Sequence, residues 1–286
     1  MKGLNFFGKV FVLLLSIAVV LNSCKAKKFI YKSPPHYDFS KPFTDKLDLR
    51  IKEVSGIVWD HTNDEFITHN DEKGTIFYLD RDTKEYKRQF DFNTSKGDYE
   101  DIAMIKNDVY VLKSDGELFR IVTDSTGKQK SFDVGKMDAS GKNDFETLYY
   151  DSEKKALVML CKNCEDDNKK MVSAFAYYPD SIGFEKKPLY SIDISKVEAL
   201  SPRKTSRFEP SAARIHPVLK KLFILSSASN QLVIADTDGN VEAVYMLAGK
   251  LFPQAEGITF KSNGDMYISN EAAYSKATLL KFVYLP

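Results

Sequence analysis

A short acidic motif recurs five times along the chain. It reads EVSGIVWD at 53–60, DYEDIAMI at 98–105, DFETLYYD at 144–151, EPSAARIHP at 209–217 and QAEGITF at 254–260. Ser55, Glu100, Glu146, Ser211 and Glu256 hold equivalent places, separated by 45, 46, 65 and 45 residues. Each motif is followed by two or three further short apolar runs with turn residues such as SDG, DTDGN and KSNGD between them. A repeat of this length built from strands is the signature of a propeller, in which each unit is one four-stranded antiparallel blade.

The fifth repeat ends after three strands, at Pro286, while residues 36–50 (HYDFSKPFTDKLDLR) form an extended segment with no partner of their own. Joining the two completes the last blade and removes two open sheet edges, which would otherwise invite aggregation. The expectation is an all-β fold: a five-bladed β-propeller over residues 36–286, closed by an N-terminal strand. A sixth, degenerate blade is the alternative. The extra length in the 65-residue interval falls in two loops, 161–171 and 195–208, the second with a short helical turn before Pro202. The 35 Tyr and Phe residues (15 and 20) suit half-buried pleated surfaces.

Strand side chains two residues apart share a face. In each motif two such positions stand at the start of the first strand, which lines the axis in a propeller. The first is Glu53, Asp98, Asp144, Glu209 and Gln254; the second is Ser55, Glu100, Glu146, Ser211 and Glu256. Every blade offers a carboxylate, and where the second position is Ser the first is Glu. Glu53, Glu100, Glu146, Glu209 and Glu256 are therefore the candidate ligands of a cation at the channel mouth. Oxygen donors without histidine favour a hard ion such as Ca²⁺. In the plainer reading, these groups bond to backbone N–H groups and hold neighbouring blades together. Asn70, Asp71, Asp98, Asp144, Lys113, Asn270 and Glu271, with Arg203 and Arg207 from the long loop, form the expected rim. Trp59, Tyr150 and Ile215 are expected to pack between blades.

No Ser-, His- or P-loop-based catalytic motif is present, and the four histidines are scattered. A net charge of +1 gives no basic field for nucleic acid, and none is expected as a partner. A monomer binding an unidentified small ligand or protein is the expectation.

The N-terminus has Lys2 and Lys9, an apolar run at 10–21, and then Leu21-Asn22-Ser23-Cys24. The run is short for a membrane span. The tetrapeptide resembles the lipobox of bacterial lipoproteins. That implies a signal peptide over 1–23, lipid on Cys24, a tether over 24–35 and anchoring in a membrane. With no Asp after the cysteine, the outer membrane, facing the periplasm, is the expected address. Cys161 and Cys164 remain as a C-x-x-C pair, read as a local disulfide or free thiols in an oxidising compartment.

The stretches EVSGIVWD, HNDEKGTIFYLD (69–80), GDYEDIAMI (97–105), FETLYYD (145–151) and FPQAEGITF (252–260) resemble the SdiA-regulated family of exported bacterial propellers. The resemblance spans about residues 45–285 and implies the propeller fold and an exported address, without an activity. A more distant similarity to esterase-like phytase propellers would imply calcium-dependent phosphoester hydrolysis, but no residue here matches a catalytic motif of that group; a metal-dependent phosphoesterase with Glu100, Glu146 and Glu256 as metal ligands is the second reading. A purely structural, partner-docking propeller is the third reading.

Overall fold

The computed structural model describes residues 29–139, 141–204, 207–272 and 276–286. The leader and Cys24 lie outside the described residues. Over Lys32–Pro286 the chain folds into five antiparallel sheets in a ring. The closing strand β1 (Phe43–Lys46) comes first in sequence. Blade 1 is β2 (Val54–Asp60), β3 (Glu65–Asn70), β4 (Lys73–Leu79) and β5 (Tyr86–Lys96). Blade 2 is β6 (Tyr99–Ile105), β7 (Asp108–Lys113), β8 (Glu117–Thr123) and β9 (Gln129–Lys136). Blade 3 is β10 (Phe145–Asp151), β11 (Ala156–Cys161) and β12 (Met171–Tyr178), with both β13 (Gly183–Phe184) and β14 (Tyr190–Asp193) paired to β12. Blade 4 is β15 (Ala212–Ile215), β16 (Leu222–Ser226), β17 (Gln231–Ala235) and β18 (Val241–Met246). Blade 5 is β19 (Ala255–Phe260), β20 (Met266–Asn270) and β21 (Thr278–Phe282), with β1 as its outer strand. The helical turn expected in the long loop is α1 (Ile194–Leu200), started by the Asp193 carboxylate, which accepts from Ser195 N at 2.8 Å. Among the described residues no helix is long and apolar enough to cross a membrane.

The first strands contact one another in the cyclic order β2, β6, β10, β15, β19 and back to β2, so the ring is closed. Aromatic side chains fill the wedges between blades. Trp59 and Tyr267 each lie 4.7 Å from Phe66, ring centre to ring centre, joining blades 1 and 5. Tyr150 and Ile215 pack against the neighbouring cores, as expected of their shared position. Each such buried ring or branched side chain contributes roughly 1.5–3 kcal/mol.

The closing strand is fixed at its start by a buried relay. His216 Nδ1 accepts from Val218 N (3.1 Å) and Leu219 N (3.0 Å), which leaves the ring proton on Nε2. Nε2 donates to the Tyr37 hydroxyl at 2.6 Å, and that hydroxyl donates to Gly264 O at 2.6 Å. Burial pushes the His216 pKa down to about 4, which keeps it the neutral tautomer this relay needs. Tyr37 therefore ties the incoming chain to blades 4 and 5 before β1 begins.

Candidate functional site: an acidic cup over a sealed axis

The five motifs deliver their acids to one cavity of about 330 Å³ at the end of the ring where the first strands begin. Glu53, Glu100, Glu146, Glu209 and Glu256, the five residues singled out from sequence, all line it. Of the expected rim, Asp71, Asp98 and Glu271 also line it, joined by Lys162, Ser55, Ser211 and Ser227. The wall thus carries eight carboxylates and one ammonium.

Local backbone geometry explains how the glutamates reach the axis. Tyr99 pairs with Lys113 and Asp101 with Leu112, so Glu100 is the extra residue of a β-bulge. Glu146 is the extra residue between Phe145 and Thr147, and Glu256 the extra one between Ala255 and Gly257. A bulge re-aims the side chain of its unpaired residue. Three blades use it at the same motif position to turn a glutamate inward. In blade 1 the irregularity spans Ser55 and Gly56. A Cβ on Gly56 would stand 2.4 Å from Asp101 Oδ1 and 2.8 Å from Ile102 N, so the close approach of blades 1 and 2 requires glycine there. The serines that replace glutamate join neighbouring blades, but through backbone carbonyls and not through the acid-to-N–H bonds of the plainer reading. Ser55 Oγ donates to Glu100 O and Ser211 Oγ to Ala255 O at 2.7 Å, each reaching the next blade.

Six expected rim residues do not line the cup. Lys113 is drawn away into an ion pair with Glu117 (2.6 Å). Asn70 donates to Arg50 O (3.1 Å), and Asn270 to Leu251 O (3.4 Å) and Thr278 Oγ1 (3.1 Å), so both brace loops behind the wall. Asp144 is absent from the wall, and its backbone carbonyl accepts from Lys162 N at 2.7 Å. Arg207 pairs with Glu209 at 2.5 Å, one residue back from the wall, and Arg203 O accepts from Ser201 Oγ at 2.6 Å. Cys161 and Cys164 form a disulfide. It closes the loop that presents Lys162, whose ammonium pairs with Glu146.

Electrostatics follow from this crowding. Burial, then the charges of Glu146 and Asp98, drive the Glu100 pKa upward. Burial also raises Glu146, against the stabilising pull of Lys162. Glu256 is pushed up to about 8, by burial first and Glu146 second. Burial raises Asp71, Asp144 and Glu271 as well. The cup therefore stores protons that a cation would displace.

The floor was not anticipated from sequence. Arg214, on β15, turns its guanidinium into the axis below the cup. It donates to Ile102 O (2.8 Å), Ile57 O (3.2 Å), Leu148 O (3.3 Å) and Ile258 O (3.3 Å), one carbonyl from each of the other four blades. Its charge partner is the buried Asp101, 3.7 Å away. The Asp101 carboxylate also accepts from Leu148 N (2.8 Å) on the next blade. One side chain thus ties all five first strands together and makes the channel a dead end. An arginine inside the apolar run AARI, at a position where the other blades carry Val58, Ala103, Tyr149 and Thr259, was the available signal.

The fold and the cup define a class: a five-bladed β-propeller with a sealed axis and an acidic mouth. The chain belongs to the SdiA-regulated family, whose pattern it matches over residues 38–274. No curated protein matches the sequence. Among solved structures it is similar to Myxococcus xanthus glutaminyl cyclase, at TM-score 0.56 and 15% identity, over 85% of this chain and 96% of that one. It is also similar to a Bacteroides thetaiotaomicron structural-genomics protein of unknown function, at TM-score 0.51 and 14% identity, over 77% of this chain and 52% of that one. The calcium-binding protein regucalcin from Agrobacterium tumefaciens follows at TM-score 0.49 and 12% identity, over 82% and 91%. At these identities the likeness concerns the fold.

Proposed function

We propose that this protein is a lipid-anchored binding module whose acidic cup receives a cationic ligand. The observation that carries the reading is the delivery of a carboxylate from every blade into one dead-ended cavity. All-oxygen walls suit a hard divalent ion such as Ca²⁺. The fit favours a hydrated ion over a directly chelated one. Among the described residues, only Cys161, Cys164 and Asp167 bring three potential donor atoms within 4.8 Å of one another, and the two sulfurs are bonded to each other. No three carboxylates of the cup come that close to one another, and the cavity of about 330 Å³ leaves room for a water shell. A second reading, an organic ammonium, is favoured by Lys162, whose own ammonium already rests on Glu146. Eight carboxylates against one ammonium disfavour a phosphoester as ligand, because like charges in a half-buried site repel strongly. The motif Leu21-Asn22-Ser23-Cys24 supports the anchor and an outer-membrane, periplasm-facing address.

The test is calorimetric and thermal titration with CaCl₂, MgCl₂ and spermidine. Saturable binding that raises the melting temperature is expected, with its loss in Glu100→Gln/Glu146→Gln. No heat and an unchanged melting temperature with all three probes would overturn the reading.

A further inference from the structure

The cup opens where the first strands begin. The turns joining first to second strands lie at the opposite end of the ring, and it is there that the chain joins the fold. Tyr37 bonds to Gly264 O in the β19–β20 turn and to His216 at the head of the β15–β16 turn. His36 N and O atoms meet Leu285 just beyond β21: Leu285 N donates to His36 O at 2.8 Å, and His36 Nδ1 lies 2.8 Å from Leu285 O. From this end β1 runs toward the cup, with Phe43 opposite Lys281 and Lys46 opposite Thr278. On the same end, beside the point where the chain joins, Val218, Val283 and Leu285 are 47%, 42% and 51% exposed. His216 connects them: it accepts from Val218 N, and its ring lies 5.4 Å from that of Tyr284, between Val283 and Leu285.

We infer that this end, where the chain joins the fold, rests on a lipid bilayer through Val218, Val283 and Leu285 and holds the acidic cup on the side away from the membrane. The inference rests on the reading of Cys24 as acylated. Eight peptide steps separate Cys24 from Lys32, a reach of at most about 28 Å even when fully extended. A tether that short keeps the end to which it leads close to the bilayer. Aliphatic side chains of this kind gain from contact with the acyl boundary. The acidic cup avoids the negative potential of anionic headgroups, which acts within about 8 Å of the surface at physiological salt.

The experiment uses the full acylated chain reconstituted into phosphatidylethanolamine–phosphatidylglycerol vesicles. Nitroxides are attached at Val218→Cys, Leu285→Cys and, as a cup-end control, Leu49→Cys, which is 66% exposed in the native chain. Accessibility to oxygen and to a nickel chelate is then compared before and after reconstitution. Labels at 218 and 285 are expected to gain oxygen access and lose chelate access severalfold, while label 49 keeps both. Chelate access unchanged at 218 and 285, or shielding at 49, overturns the orientation. Shielding at 218 without a gain in oxygen access marks a protein surface, a second copy included, and also overturns it. Intact mass of the same sample separates the two readings. A chain without acyl mass defeats the anchor and the orientation with it, whereas an acylated chain with wet labels defeats the orientation alone. Neither result bears on cation binding in the cup.

Discussion

Cation binding of the kind proposed for the cup would displace protons, and Glu256 is the residue at which this is simplest to follow. Glu256 has a pKa of about 8, so at pH 7 it is mostly protonated. Ionising it to face a cation costs about 1.4 kcal/mol at pH 7 and about 2.7 kcal/mol at pH 6, and almost nothing above pH 9. Affinity for Ca²⁺ should therefore fall about tenfold per pH unit below pH 8 from this residue alone. Glu100 and Glu146, whose pKa values are also raised, steepen the slope. The measurement is calorimetry at pH 6, 7 and 8 in two buffers of different ionisation enthalpy, which counts protons directly. Glu256→Gln should remove one proton from the count and flatten the slope by about tenfold per unit. Affinity that is level from pH 6 to 8, with no buffer-dependent heat, would refute the reasoning.

Four further outcomes follow from the structure. A raised carboxyl pKa gives stability that is present below the unfolded pKa and lost as pH rises through the folded one, so Glu256→Gln should raise the melting temperature at pH 8 and leave it unchanged at pH 4; a gain at pH 4 would contradict this. His69 and His216, both pushed down to about 4 by burial, act in the opposite sense: their stability is present above pH 6.5 and lost as pH falls toward 4, so chemical unfolding should ease over that window. Arg214→Met strands four axial carbonyls and the Asp101 carboxylate, and should cost about 3–5 kcal/mol in urea unfolding; a loss below about 1 kcal/mol would show that the ring does not depend on it. Tyr37→Phe breaks the relay from His216 to Gly264 O and should cost about 1–2 kcal/mol by the same assay.

The architecture was legible because propeller sequences repeat their chemistry. The motif spacing located five first strands, and the missing outer strand of the last repeat pointed to residues 36–50, of which Phe43–Lys46 closes blade 5. All five glutamates reached the cavity for a reason the alternation rule only partly captured. Counting by twos placed Asp98 with Glu100 and Asp144 with Glu146; Asp98 does line the cup beside Glu100, whereas Asp144 does not, although both blades carry the same bulge. Bulges depend on pairing between strands, which a single strand's pattern does not record. Lys113, at the end of the second strand, was expected at the rim, but Glu117 four residues on captures it. Arg214 escaped notice because its partners are backbone carbonyls from four distant segments, and carbonyls carry no sequence signature.

The most direct test of the cup is a crystal of the protein soaked in millimolar MnCl₂ and measured for anomalous scattering. The account predicts a peak inside the cavity bounded by Glu100, Glu146 and Glu256, lost in Glu100→Gln/Glu146→Gln. A cavity without a peak, with manganese bound only at scattered surface carboxylates, would contradict it.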